Sequence, residues 1–80
     1  MSELFVYDSQ SLVARIKARA LEQNVLVKKL LGDCGLNINY LSQVTDKKGM
    51  SCFCLAKIAD YLDCSVDYLL GRTDKPEVNR

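Results

Sequence analysis

Residues 58–71, Ile-Ala-Asp-Tyr-Leu-Asp-Cys-Ser-Val-Asp-Tyr-Leu-Leu-Gly, leave this chain few architectures to choose from. They read as the end of one short helix, a tight turn, and a second short helix stopped by Gly71. Ser65 stands where a side-chain oxygen can accept from free backbone N–H groups, and Asp67 puts negative charge in the positive first turn. Gly71 can take the left-handed conformation that ends a helix. Two helices packed so tightly cannot cover each other alone, so the residues upstream must supply more helical surface.

They do so with helical periodicity. A first helix is expected from Ser9 or Ser11, after Asp8, with Leu12, Val13, Ile16 and Ala20 on one stripe and Asn24 as its terminator. A second presents Val27, Leu30, Leu31 and Cys34, the i, i+3, i+4, i+7 pattern of one buried face. Gly32 lies inside it, at a cost of about 1 kcal/mol relative to alanine, which a close helix approach would justify. Gly35 marks a break. A third helix is expected over about 37–45, capped by Asn37, burying Leu41 and Val44 and leaving Ile38, Asn39, Ser42 and Gln43 outside. Lys47-Lys48-Gly49 forms the next loop. A fourth helix starts at the Ser51 cap and buries Cys52, Leu55, Ile58, Ala59 and Leu62, and the fifth is Val66–Leu70. Strand-like alternation is confined to Glu3–Tyr7, which suits a strand, an arm or a disordered end. The expected fold is all-α: an arm over 1–8, one five-helix domain over 9–72 and a polar tail over 73–80.

With 80 residues the core is small, and dimerisation would add stability. A hydrophobic content of 49% excludes a disordered chain. No apolar run approaches the roughly 18 residues of a membrane span, and Leu4–Tyr7 is too short for a signal peptide. A cytoplasmic location is expected. The net charge of +1 hides a polarity: Gln10 to Met50 carries seven basic and three acidic residues, which leaves the remainder acidic by three. Such a division suits an anionic partner, although solvated helix faces would give the same counts.

Cys34, Cys52, Cys54 and Cys64 do not form paired C-x-x-C knuckles, and there is no histidine. They read as reduced structural cysteines rather than metal ligands, with Cys54 the only one that has an exposure argument. Without histidine, a glycine-rich phosphate loop or paired carboxylates, an enzyme is not expected, nor any cofactor, metal or small-molecule ligand.

The run at 58–71, continued by Arg72-Thr73-Asp74, resembles the ending of the Cro/repressor (Xre) type helix-turn-helix family, and the likeness extends from about Leu12 to Asp74. The helix-turn-helix itself lies at about 26–45, where the Gly35-Leu36-Asn37 connection has the family's spacing. Leu30, Leu36, Leu41, Ser42 and Val44 match positions of its core. Val27 stands where the family often has a phosphate-holding glutamine, Thr45 where glutamate is common, and Met50 where proline usually precedes helix 4. The resemblance implies a lambda-repressor-like fold and a phage or prophage-type transcriptional regulator, a repressor rather than an activator. It would bind double-stranded DNA, at a palindromic operator, as a homodimer. Helix 3 would enter the major groove.

Carried over by position, Ile38, Asn39, Ser42 and Gln43 face the bases. Asn39 and Gln43 have the chemistry to pair with the adenine edge, and Ile38 offers an apolar surface to a thymine methyl. Lys28, Asn37, Lys47 and Lys48 are the expected phosphate contacts. Tyr40, Val27 and Lys29 are secondary candidates, with Arg15 and Arg19 behind them. Dimer contacts would fall to helix 5, the tail or Leu4–Tyr7. The alternative is a protein-interaction module on the same scaffold, such as an antitoxin or an inhibitor.

Overall fold

The computed structural model describes residues 7–78. Five helices follow one another: α1 Ser9–Glu22, α2 Val27–Asp33, α3 Tyr40–Gln43, α4 Cys52–Tyr61 and α5 Val66–Leu70. No strand occurs among the described residues. Of the expected arm, only Tyr7 and Asp8 lie within the described residues.

Side-chain caps decide where the helices begin. Asp8, not Ser9 or Ser11, caps α1: its carboxylate accepts from the Ser11 amide at 2.7 Å and the Ser11 hydroxyl at 2.9 Å. A carboxylate suits the positive helix end and can accept both bonds at once. Ser51 accepts from the Phe53 amide at the start of α4, and Ser65 from the Tyr68 amide at the start of α5.

Four helices stop in one way. Asn24, Gly35, Asp63 and Gly71 each have positive φ, and the amide after each reaches back five residues. The bonds are Val25 N–H to Ala20 O, Leu36 to Leu31, Cys64 to Ala59, and Arg72 to Asp67, all between 2.8 and 3.0 Å. This is the Schellman closure, which satisfies carbonyls that the helix leaves open.

The main helix pairings are α1 with α5 and α2, and α4 with α5 and α2. Ile16, Leu30, Leu31, Ile58, Leu62 and Leu69 are fully buried where these faces meet. Each contributes roughly 1.5–3 kcal/mol of apolar transfer energy. The small α3 adds Leu41 to this core, with Tyr40 half-buried against it.

Arg19, read from sequence as a remote phosphate candidate, lies only 9% exposed within this packing. Its Nε donates to Leu62 O at 3.1 Å and its Nη2 to Asp63 O at 2.9 Å. Its guanidinium also lies over the Tyr68 ring, 5.9 Å from the centroid. One α1 side chain thereby closes the C-terminus of α4, whose carbonyls carry partial negative charge. Asp33, at the end of α2, accepts from the Tyr61 hydroxyl of α4 at 2.5 Å. That bond holds the Asp33 carboxyl below its usual range and the Tyr61 phenol above its own.

Three expectations need correction. Cys52 is exposed rather than buried, as is the neighbouring Phe53. The buried stripe of α4 is Leu55, Ile58, Ala59 and Leu62, and its first turn overhangs the core. The segment after α5 is more than a polar tail, because Pro76 O accepts from the Ser65 amide at 2.9 Å. Finally, no close approach explains Gly32, since a Cβ there would meet nothing within 4 Å. Gly32→Ala is therefore expected to stabilise the fold by about 0.5–1 kcal/mol. Urea denaturation checks this, and a lower midpoint would contradict it.

Candidate nucleic-acid interface

Gly35, at φ +74°, turns the chain out of α2, and Asn37 then organises the entry to α3. The Asn37 Oδ1 accepts from the Asn39 amide at 2.8 Å, and the Asn37 carbonyl accepts from the Tyr40 amide at 2.9 Å. Asn37, expected to cap a helix over 37–45, instead starts a turn: the residue before α3 is Asn39, whose side chain makes no cap bond. The consequence is a tight turn over Ile38 and Asn39 rather than a first turn of α-helix. Regular helix runs only from Tyr40 to Gln43, well short of 37–45, because Val44 already has extended backbone with ψ 124°. Thr45 then closes the following loop, accepting from the Lys48 amide through Oγ1 and from the Gly49 amide through its carbonyl.

The outer face of this unit is as expected. Ile38 is 58% exposed, and Asn39, Ser42 and Gln43 are exposed beside it. The side chains of Asn39 and Gln43 make no hydrogen bond within the described residues, so their amide groups are free to pair with a ligand. Ser42 is partly committed: its hydroxyl donates to Asn39 O at 2.7 Å, leaving only its acceptor capacity. Asn37 has spent its Oδ1 on the turn and retains its amide NH₂ as a donor.

Lys28, Lys47 and Lys48 are exposed and form no ion pair among the described residues. Asp46, next to the two loop lysines, is occupied elsewhere. Its Oδ1 accepts from the Ser9 amide at 2.7 Å, which ties the loop to the start of α1 and holds the Asp46 carboxyl below its usual range.

The secondary candidates fare differently. Lys29 Nζ pairs with Asp33 at 3.3 Å, a helical i,i+4 bridge that offsets its charge. Val27 and Tyr40 are half-buried and pack against the core instead of facing outward. Burial, with the Cys54 thiol close by, raises the Tyr40 phenol above its ordinary value. The Cys34 and Cys64 thiols are buried, and burial pushes both up, away from the reactive thiolate.

Sequence reasoning overlooked how α1 borders this face. Gln10, Val13, Ala14 and Lys17 of α1 line one side of a groove whose other side is Leu41, Ser42 and Val44. Their i, i+3, i+4, i+7 spacing was legible. Their neighbour was not, because pairing between α1 and α3 depends on how the whole bundle closes. No family model, curated protein or solved structure matches this chain.

Proposed function

We propose that this chain is a sequence-specific double-stranded DNA-binding regulator of the Cro/repressor type, acting as a repressor and as a homodimer on a palindromic site. The turn at Ile38–Asn39 and the single helical turn of α3 enter the major groove. Asn39 and Gln43 read base edges by hydrogen bonding, Ser42 accepts a bond, and Ile38 covers a thymine methyl. Lys28, Asn37, Lys47 and Lys48 hold the flanking phosphates. The observation that supports this reading is the pair of unbonded amide side chains on an exposed face, followed in the chain by Lys47 and Lys48, which form no ion pair among the described residues.

Selection from random duplexes, followed by binding assays across a salt series, tests it. The protein should enrich a palindrome. Asn39→Ala and Gln43→Ala should each lose about 1–3 kcal/mol of discrimination, roughly five- to 150-fold, at one base position. Replacing Lys47 and Lys48 together should weaken binding on every sequence and flatten the salt dependence. Failure to enrich any duplex would overturn the reading.

The 78% exposed Phe53 and 76% exposed Leu26 favour a second reading, a protein-interaction module such as an antitoxin or inhibitor. Salt-insensitive capture of a protein, without DNA enrichment, would support that alternative.

A further inference from the structure

Between the half-buried Val44 and Met50, every residue of the loop 45–49 is exposed. The loop is braced within itself. Thr45 Oγ1 accepts from the Lys48 amide at 3.1 Å, and the Thr45 carbonyl accepts from the Gly49 amide at 2.6 Å. Among the described residues, a single hydrogen bond joins this loop to another element: the Ser9 amide donates to Asp46 Oδ1 at 2.7 Å. Ser9 is the first residue of α1, where amides lack carbonyl partners and the helix carries partial positive charge. Asp8 takes the Ser11 amide there, and Asp46 takes the Ser9 amide from 37 residues away. A carboxylate beside Lys47 and Lys48 would by itself oppose an anion. Here the start of α1 offsets its charge, and neither lysine forms an ion pair among the described residues.

We infer that Asp46 is a positioning residue for DNA: by tying the loop to the start of α1, it fixes where Lys47 and Lys48 meet the backbone phosphates. The inference rests on the DNA-binding reading and extends it to a contact between α1 and the loop that follows α3. A loop held at one point is loosened when that point is removed. The lysines of a loosened loop must be ordered at the moment of binding, which weakens the contact. Because they meet phosphates rather than bases, the loss is the same on every sequence.

Fluorescence anisotropy with the selected duplex and a scrambled one, over 50–200 mM salt, tests the tether. Asp46→Asn removes the charge but keeps an acceptor for Ser9, whereas Asp46→Ala removes both. The alanine variant should therefore bind both duplexes about two- to tenfold more weakly than the asparagine variant, the net worth of one such hydrogen bond. The ratio between the duplexes should not change. Ser9→Pro deletes the donor instead. Proline suits the first helical position, and Asp8 already has the extended backbone that must precede it, at φ −134° and ψ 151°. This variant should bind more weakly than wild type while circular dichroism shows an intact fold. In a Lys47→Ala/Lys48→Ala background, the gap between the alanine and asparagine variants should vanish, because Asp46 acts through those lysines. On a selected duplex, equal binding by the two folded Asp46 variants, or a gap that persists without the lysines, overturns the tether and leaves base reading by α3 intact. If no duplex is selected, both ideas fall.

Discussion

Replacing Arg19 with alanine is expected to cost about 3 kcal/mol of folding free energy, the largest loss for any polar side chain in this molecule. The guanidinium donates to two carbonyls at the end of α4, and a hydrogen bond from a charged donor is worth roughly 1.5–3 kcal/mol. The bond to Leu62 O is buried and that to Asp63 O partly so, and water could replace the lost donor only in part. Asp63 would also lose support for its left-handed backbone at φ 53°. Contact with the Tyr68 ring would go as well. In a domain of this size each kcal/mol shifts Tm by about 4–8 °C, so thermal unfolding should show a drop of more than 10 °C. Arg19→Lys should recover part of the loss, because an ammonium keeps the charge but not the two-pronged geometry. A drop below about 3 °C for the alanine variant would mean that α4 closes without Arg19.

Gly71→Ala should be the most damaging single methyl, at about 2 kcal/mol. Two effects combine. At φ +81° a side chain strains the backbone, and the new Cβ would lie 2.5 Å from Cζ of Arg15. The backbone part is fixed at roughly 1–2 kcal/mol. The steric part depends on whether the Arg15 guanidinium moves aside. A double-mutant cycle separates them. In an Arg15→Ala background only the backbone cost should remain, so Gly71→Ala should hurt less there. Equal costs in both backgrounds, read from urea midpoints at constant m, would show that Arg15 does not rest against Gly71. The contrast with Gly32→Ala is instructive. The same methyl is expected to stabilise there, because Gly32 lies in open helix with no positive φ.

The candidate interface was legible in the sequence to the extent that it is local. Ile38, Asn39, Ser42 and Gln43 could be placed outside because Leu41 between them had to be inside, and the structure buries Leu41. The length of α3 was not legible. Periodicity cannot separate a regular helical turn from the tighter turn that Asn37 imposes, nor foresee that Val44 leaves the helix. Tyr40 and Val27 were uncertain for another reason. Each is amphipathic in position, and only the arrival of α4 and the rest of the core decides which neighbour it meets.

Short-range chemistry alone determined most of the helices, their caps at Ser51 and Ser65, and the stops at Asn24, Gly35 and Gly71. Such features depend on interactions within a few residues, which the order of amino acids specifies directly. The tertiary structure decided what lies far apart in the chain: Arg19 closing α4 from 43 residues away, Asp46 tethered to Ser9 across 37, and Lys17 brought beside Ser42. Those pairings carry no local signature, since each arises only when the apolar faces of four helices have settled against one another.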